Sequence, residues 1–370
     1  MSKDFNLPLT ILLIISVTRF TLLSQCNGYE SLCDKKYNEV SYLTTHNAYN
    51  SAQDGYNLPN QNYNIRTQLN NGIRAFMLDV YDFMGTISVY HGVAILGNKP
   101  LQNYLVDIRD FLEQNPKEVI TIILECYVDA DDIENELYQA GLDSFLYAHD
   151  SSSNWPTLQQ LINWDQRLLI FSDKDDANNS QNWYHYMWDY MVETHYSAND
   201  TSDFTCDFNR GNPSNDLFIL NHFITNNTTG TGNANQSLIC NSNPFFINRV
   251  VNCQQEKNKF PNFLTVDFYE LGDCYEVLNQ INNIPAKVNT LNDPELLIYP
   301  NPFGNRMSVQ FPNNSAPYTI HIFDIQGNIV KSKYGRGSSA KLCKGRLAPG
   351  QYIFQVQTQN NIFKNKVIIQ

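Results

Sequence analysis

Several polar side chains lie at the ends of apolar stretches of this sequence, and their types could support acid–base and cation chemistry. The stretch at 39–45 is followed by His46 and Asn47, and the stretch at 72–80 carries Asp79 near its end. Later stretches carry further polar residues in the same place, namely His91, Glu125 and Asp267. Any one such residue more often caps a loop or faces solvent. The recurrence of such polar residues at the ends of successive apolar stretches predicts that they share one site.

Asn47, Asp79 and Glu125 offer an amide oxygen and two carboxylates. An all-oxygen set suits a hard cation such as Ca²⁺ and suits Zn²⁺ poorly. His46 and His91 would then be available for proton transfer near neutral pH, one as the base and the other as the acid. Because a cation between an acid and a base stabilises charge on phosphate oxygens, this set predicts attack at phosphorus.

Asp267 is either a partner that orients one of the two histidines or an ordinary residue of the rim. Asn221 and His222 also lie late in an apolar stretch. For His222 we favour a structural role, because a buried strand can hold a hydrogen-bonded imidazole that takes no part in catalysis. The predicted catalytic residues are therefore His46, His91 and Asp267.

The elements that would position these residues alternate between apolar strands and amphipathic helices. The clearest helix is predicted at 100–116, where apolar residues recur on one face and Pro116 ends the pattern. Such alternation is typical of a (β/α) barrel, in which chemistry collects at the carboxyl ends of the strands. We therefore predict an α/β fold with a TIM-type (β/α) barrel of irregular form. Its strands are predicted at 39–45, 72–80, 87–91, 118–127, 167–172, 190–196, 217–223 and 262–269.

Composition along the chain predicts the domain organisation. Residues 7–23 form a long apolar run behind a short start with Lys3, which is typical of a signal peptide, and we expect cleavage after Ser24. Near residue 285 the sequence becomes rich in Pro, Asn and Asp, and beyond it short alternating strands predict a small antiparallel sandwich. The predicted organisation is a signal peptide at 1–24, a barrel at 25–284, a linker at 285–295 and an all-β domain at 296–370.

The charge balance bears on the partners. The formal net charge of -12 argues against nucleic acid, because phosphate binding needs clustered Lys and Arg. Export would make the eight cysteines candidates for disulfides, although one sequence does not fix their connectivity. Cys126 lies within an apolar strand pattern and is expected to be a buried free thiol. Sequence proximity allows two local pairs, Cys26–Cys33 and Cys240–Cys253, and the remaining Cys206 and Cys274 could form a longer link.

The order and spacing of several motifs resemble a known enzyme family. THNAY at 45–49, GIRAFMLDVYDF at 72–83, VYHG at 89–92 and KEVITIILE at 117–125 resemble the X region of phosphatidylinositol-specific phospholipases C. The likeness is closer to the secreted phospholipase-C-like phosphodiesterases of that superfamily, which share a motif similar to FPNFLTVDFYE at 260–270. It extends over about residues 26–283, nearly the whole first domain.

The resemblance implies a phosphoric diester hydrolase that uses two histidines. His46 would assist the inositol 2-hydroxyl as it attacks phosphorus, and His91 would protonate the departing diacylglycerol oxygen. Asn47, Asp79 and Glu125 match the metal-binding positions of the calcium-dependent branch. The implied substrate is a phosphodiester such as an inositol phospholipid or its headgroup, reached by transient contact with a membrane surface.

Two positions bear on whether a metal is bound. In the metal-free branch an arginine takes the place of the ion, and this chain has Tyr81 at that position. The absence of the arginine favours a bound metal. The calcium-dependent branch has a third acidic ligand where this chain has Met77, and the loss of a carboxylate weakens the site. Asp82 could compensate for it. The alternative function is a catalytically weak or inactive barrel that serves as a surface binding or adhesion protein.

The C-terminal segment has its own resemblance. IYPNPFGNRMSVQF at 298–311, IFDIQGNIV at 322–330 and GQYIFQV at 350–356 are similar to type A C-terminal sorting domains of the type IX secretion system. The resemblance implies passage through the periplasm and outer membrane to the cell surface or the medium, with the type IX machinery as partner. The alternative is an appended binding module with the same sheet chemistry.

Overall fold

The computed structural model describes residues 25–176, 181–225, 231–283, 297–310, 317–324, 329–358 and 362–369. The predicted signal peptide at 1–24 and the predicted linker at 285–295 lie outside these ranges. Within the ranges, none of the helices is both long enough and apolar enough to cross a bilayer.

The first domain is built on one curled sheet of mainly parallel strands. The strands are β1 (Tyr42–Thr45), β2 (Ala75–Phe83), β3 (Thr86–Val89), β4 (Lys99–Pro100), β5 (Ile120–Cys126), β6 (Leu168–Ser172), β7 (Tyr184–Tyr186), β8 (Met191–Thr194), β9 (Phe208–Gly211), β10 (Leu217–Asn221) and β11 (Phe263–Val266). They are paired in the order β7-β6-β5-β2-β1-β11-β10-β8-β9, and each pair is parallel except the last.

Helices cover the outside of this sheet. They are α1 (Ile65–Asn70), α2 (Leu101–Gln114), α3 (Ala130–Ala140), α4 (Leu158–Trp164), α5 (Ala234–Cys240), α6 (Phe245–Lys257) and α7 (Cys274–Ile281). The central strands are buried along nearly their whole length, as expected of parallel strands that are covered on both faces. The helix predicted at 100–116 is confirmed as α2, which buries Leu101, Leu105, Ile108, Phe111 and Leu112.

The barrel is irregular, as predicted, and it is open on one side. Among the described residues, the path of paired strands ends at β7 on one side and at β9 on the other. The prediction of a parallel barrel strand at 87–91 is wrong, since β3 in this region pairs antiparallel with β2. Met84 and Gly85 alone connect the two strands, and so short a connection can join only antiparallel neighbours. A parallel strand that was not predicted, β7, extends the sheet beyond β6.

The second domain is an antiparallel sandwich, as predicted. Its strands are β12 (Leu297–Tyr299), β13 (Arg306–Gln310), β14 (Pro317–Phe323), β15 (Ile329–Arg336), β16 (Ser339–Cys343), β17 (Gly350–Thr358) and β18 (Ile362–Ile369). One sheet has the order β12-β13-β16 and the other has the order β15-β14-β17-β18. Their facing side chains form a core that includes Phe303, Met307, Ile320, Phe354 and Val367.

The disulfides differ in part from the predicted pairs. The Cys26–Cys33 bond is confirmed. The predicted Cys240–Cys253 and Cys206–Cys274 pairs are wrong, because Cys206 is bonded to Cys253 of α6. Pairing follows the segments that meet in the fold, and the segment before β9 meets α6. Cys126 is a buried free thiol, as predicted, and the other free cysteines are Cys240, Cys274 and Cys343.

Candidate active site

The structure brings the predicted site residues together at one cavity. The cavity has a volume of about 420 Å³ and lies at the carboxyl ends of the parallel strands. Asp267 is the one predicted residue outside its lining, and it bonds to His46 from behind. The lining includes the other predicted residues, namely His46, Asn47, Asp79, His91 and Glu125.

The end of β1 aims His46 and Asn47 at the cavity. The His46 backbone N–H donates to the carbonyl of Val266, 3.0 Å away, which continues the pairing of β1 with β11 by one residue. Asn47 then has a φ of 44°, a left-handed conformation that asparagine tolerates better than most residues. Gln61 fixes this turn, because its Nε2 donates to the carbonyl of His46 at 2.9 Å. The strand end therefore holds both side chains on a defined turn.

His46 is oriented by a buried carboxylate. Its Nδ1 lies 3.0 Å from Oδ1 of Asp267, which is fully buried. The imidazole also stacks on Phe223, with 3.8 Å between the ring centres and 8° between the planes. Donation of the Nδ1 proton to the carboxylate leaves the Nε2 lone pair as the basic site of the ring. This arrangement suits a general base.

Asn60 connects the histidine and carboxylate to the rest of the site. Its Nδ2 donates to the second oxygen of Asp267 at 3.0 Å, and its Oδ1 accepts from Nδ2 of Asn50 at 2.7 Å. Gly232 packs against the same carboxylate, since a Cβ built at this glycine would lie 2.7 Å from Oδ2 of Asp267 and 3.2 Å from Cα of Asn60. Both Asp267 oxygens are thus hydrogen-bonded, and no space remains beside Oδ2 for a side chain at position 232.

His91 has a carboxylate partner of its own. Its Nδ1 lies 2.9 Å from Oδ2 of Asp79 on β2. The hydrogen bond to Asp79 raises the pKa of His91, and this effect outweighs the opposing effect of desolvation. The protonated imidazole is therefore favoured, as a general acid requires. The two histidines differ in their partners. His46 is paired with Asp267, which is fully buried, whereas His91 is paired with Asp79, which lines the cavity.

We expect the ring of His91 in calcium-free protein to titrate above the ordinary histidine value of about 6.5. Because the pKa is raised in the folded state, its contribution to stability is full below about 6.5 and is lost as the pH rises through the folded value. NMR titration of the ring protons measures this pKa directly. The Asp79→Asn variant should lower it, because the variant keeps a hydrogen-bond acceptor but loses the charge.

The matched control for this titration is Asp82→Asn. Asp82 lies on the same strand, and its Oδ1 accepts the backbone N–H of Gly85 in the hairpin turn, 2.7 Å away. Its loss should leave the His91 midpoint nearly unchanged. An unchanged midpoint in Asp79→Asn would contradict the assigned cause.

Two carboxylates face each other across neighbouring strands. Asp79 of β2 and Glu125 of β5 are direct partners in the parallel register. Burial, and then the negative charge of Asp79, raise the pKa of Glu125. A cation between such carboxylates would remove their repulsion, and Asn47 adds an amide oxygen at the same cavity. The donor set therefore fits a hard cation in charge and in atom type.

The donor set is nevertheless small. In the part of the chain that the structure describes, no group of three or more His, Cys, Asp or Glu side chains is arranged to hold a metal. Met77 lines the cavity, and Asp82 is not among the lining residues. A calcium ion, which takes 6–8 oxygen ligands, would need water or substrate oxygens in addition to Asn47, Asp79 and Glu125.

Three tyrosine rings form a stack beside the acidic pair. Tyr81 lies between Tyr90 and Tyr127, with ring centres 4.2 Å and 4.3 Å away. The Tyr127 hydroxyl donates to Oε1 of Glu125 at 2.5 Å, and this bond, with burial, raises the pKa of the phenol to about 12. The stack therefore holds the Glu125 carboxylate in place through the Tyr127 hydroxyl.

An ion pair between a buried carboxylate and an exposed guanidinium forms the opposite wall. Glu193 of β8 bonds to the guanidinium of Arg210 of β9 at 2.5 Å, and Asn221 Nδ2 donates to the other Glu193 oxygen at 3.0 Å. The guanidinium also lies over the rings of Trp188 and Tyr196, 4.7 Å from each centre. Since Arg210 lines the cavity, it can offer a fixed cation to an anionic group of a substrate.

His222 has the structural role that was favoured for it. It is fully buried, and its Nε2 lies 3.0 Å from the carbonyl of Cys240. Burial lowers its pKa well below the ordinary value, so the ring is neutral. It is not part of the cavity lining.

Several site residues were not predicted from the sequence. Asn60 and Phe223 had no recognisable pattern, because neither lies in a motif with a chemical spacing. Glu193 and Arg210 are joined by an antiparallel strand pair, and β9 was not predicted. A single acidic residue within the predicted strand at 190–196 is the one signal that could have pointed to Glu193.

Comparisons with known proteins identify a family for each of the two domains. Residues 32–282 match the family model described as PI-PLC X 1, and residues 297–370 match the secretion system C-terminal sorting domain. The sorting domain indicates export through the outer membrane by type IX machinery, so the predicted localisation is confirmed. An uncharacterized secreted protein of Arthroderma benhamiae is 26% identical over 289 residues, which is 70% of this chain and 64% of that protein.

A PI-PLC X domain-containing protein of Arabidopsis thaliana is 29% identical over 273 residues, which is 66% of this chain and 62% of that protein. The chain thus spans less than two thirds of the length of either relative. A mutant of the phosphatidylinositol-specific phospholipase C from Staphylococcus aureus has a TM-score of 0.46 and 15% identity, and the match covers 68% of this chain and 93% of that chain. Because the first family model matches more than half of the residues, the chain belongs to the PI-PLC X family.

Proposed function

We propose that the first domain is a secreted phosphoric diester hydrolase that uses His46 and His91 as its base and acid. The observation that carries this proposal is that each imidazole is bonded through Nδ1 to a carboxylate at one cavity. Each ring therefore has its second nitrogen available for a proton transfer. The substrate class is a phosphodiester with a neighbouring hydroxyl, such as an inositol phospholipid or its headgroup.

The two histidines divide the proton transfers between them. His46 takes the proton of the attacking hydroxyl at Nε2, and Asp267 stabilises the imidazolium that forms. His91, whose pKa is raised, gives its proton to the departing oxygen. Attack by the neighbouring hydroxyl gives a cyclic phosphodiester. When water opens this product, His46 and His91 exchange the roles of base and acid. Arg210 orients an anionic part of the substrate from the opposite wall.

We also propose that Ca²⁺ binds at Asn47, Asp79 and Glu125. When bound, the ion supplies positive charge that stabilises the phosphate oxygens and acidifies a hydroxyl. The support is the carboxylate pair in register across β2 and β5, with the amide of Asn47 beside it.

The test is an assay of the purified protein with Ca²⁺ and with a chelator. Phosphatidylinositol vesicles and a soluble aryl phosphodiester of inositol, which keeps the neighbouring hydroxyl, should both be cleaved in the presence of Ca²⁺. If neither is cleaved, nor any other phosphodiester, the hydrolase proposal fails. The alternative, a binding protein on an inactive barrel, is favoured by Met77 in the cavity wall, and it predicts retention on vesicles without turnover.

Two exposed apolar side chains, which follow Asp79 and His91 along the chain, could contact a lipid surface. Met84 in the β2–β3 turn is 93% exposed, and Ile95 in the loop after His91 is 87% exposed. We expect the Met84→Ser/Ile95→Ser variant to lose roughly 10-fold or more in activity on vesicles, because partial insertion of two apolar side chains is lost. Its activity on the soluble diester should be unchanged.

The matched control for the vesicle assay is Tyr138→Ser. Tyr138 is an exposed apolar side chain near the end of α3, away from the strand ends that carry the cavity. This variant should retain full activity on both substrates. An equal loss on both substrates in the Met84/Ile95 variant would show that the two side chains act on the fold and not on the lipid surface.

A further inference from the structure

Besides Cys126, the first domain has two buried cysteines without an assigned partner. Cys240 is the last residue of α5 and Cys274 is the first residue of α7, and both are fully or almost fully buried. Both are free thiols, whereas Cys26 is bonded to Cys33 and Cys206 to Cys253. None of these sulfurs takes part in the proposed reaction.

The segments that carry the two thiols run in direct contact. The backbone N–H of Asp273 donates to the carbonyl of Asn241 at 2.9 Å, and the N–H of Asn243 donates to the Asp273 carboxylate at 2.7 Å. A Cβ built at Gly272 would lie 2.6 Å from the Asn241 carbonyl, so the two backbones touch. Cys240 and Cys274 are the chain neighbours of the residues joined by the first of these bonds.

The side chains are also close enough to affect each other. Burial, and then the proximity of Cys240, raise the pKa of the Cys274 thiol well above its usual value. In the thiol form, Cys240 donates to the carbonyl of Ser237 at 3.6 Å and Cys274 donates to the carbonyl of Leu271 at 3.7 Å. The sulfur of Cys240 also lies 3.5 Å from Oδ1 of Asn241. Because S–H is a weak donor, the loss of these hydrogen bonds would cost little.

We propose that Cys240 and Cys274 form a third disulfide in the first domain, and that this bond fixes the segment that holds Asp267. Asn241, next to Cys240, donates from Nδ2 to the backbone carbonyl of Asp267 at 3.0 Å. The bond would therefore tie α5 to α7 directly behind the carboxylate that orients His46. The proposal rests on the contacts and on the export of the chain, and it does not depend on the reaction that the cavity performs.

The chemistry of the step is thiol–disulfide exchange during export. The thiolate of one cysteine attacks the disulfide of a dithiol oxidoreductase in the oxidising compartment, which gives a mixed disulfide and releases one thiolate of that protein. The second cysteine then attacks the mixed disulfide, forms the Cys240–Cys274 bond and releases the oxidoreductase as a dithiol. The chain loses two protons and two electrons, and the oxidoreductase gains them. The exchange must occur while the chain folds, because both sulfurs are buried afterwards.

The test is alkylation of the full chain after export into an oxidising compartment. The protein is denatured in iodoacetamide without reductant, and its peptides are mapped by mass spectrometry. The expected result is a linked pair of peptides that contains Cys240 and Cys274, with only Cys126 and Cys343 alkylated. Alkylation of Cys240 and Cys274 in the exported protein would overturn the proposal.

Variants separate a covalent bond from a simple packing role. In Cys240→Ala the thiol of Cys274 should become alkylated after denaturation, and the reverse should hold in Cys274→Ala. The doubly substituted protein should have a Tm lower by roughly 5–10 °C, whereas Cys343→Ser, which removes an exposed free thiol, should not change the Tm. If reductant lowers the Tm of the wild type and of the double variant equally, the proposed bond is absent.

Discussion

Replacing His46 with alanine is expected to lower kcat on a phosphodiester by about 10²–10⁴-fold, the usual contribution of a positioned base. The variant removes the imidazole that Asp267 orients through Nδ1. The Asp267→Asn variant keeps a side chain of the same shape in the same place, and it should lose less, roughly 10–100-fold. The measurement is steady-state hydrolysis of a soluble aryl phosphodiester, with circular dichroism to verify folding.

The control for these variants is His195→Ala. His195 is exposed and directly precedes Tyr196 of the cavity wall, but it has no place in the proposed mechanism. It should keep its full activity. If His46→Ala retains wild-type activity, the assignment of the base is wrong, whatever the other variants do.

Removal of Ca²⁺ is expected to have an effect of similar size. Chelation should lower kcat by about 10²–10³-fold, because charge on the phosphate oxygens would lose its main stabilisation. Added Ca²⁺ should restore the activity. Glu125→Gln removes one of the two carboxylates of the donor set, and it should shift the half-saturating Ca²⁺ concentration upwards.

The control for the calcium experiment is Asp82→Asn. Asp82 accepts the N–H of Gly85 in the hairpin turn and is not among the residues of the cavity lining. Its half-saturating Ca²⁺ concentration should match that of the wild type. A large shift would mean that Asp82 compensates for Met77, whereas activity that is insensitive to chelation would exclude a role for the ion.

The sequence predicts the position of the main site residues because parallel strands deliver their ends to one edge. His46, Asp79 and Glu125 could be placed together on this ground alone, since each follows or ends an apolar run and the strands are neighbours in the sheet. The irregular barrel could be predicted for the same reason. The sequence allows Asp267 to be either an orienting partner or an ordinary residue of the rim, and its bond to His46 supports the orienting role.

The features that could not be predicted depend on contacts between distant segments. Asn60 lies in a loop whose path follows from hydrogen bonds with Asn50 and Asp267. The Cys206–Cys253 bond depends on where the segment before β9 meets α6, which local spacing does not encode. The strand predicted at 87–91 failed for another reason, since its composition fits a hairpin strand as well as a barrel strand.

Position 232 is a glycine, and the lack of a side chain there limits which residues the site can accept at this position. Any larger group there would collide with Oδ2 of Asp267, because even a methyl carbon would lie 2.7 Å from it. Substitution of Gly232 would thus disturb the proposed proton transfer at His46 without replacing a residue that takes part in it. A residue that offers no chemistry of its own is therefore as strict a requirement of the proposed mechanism as the carboxylate it adjoins.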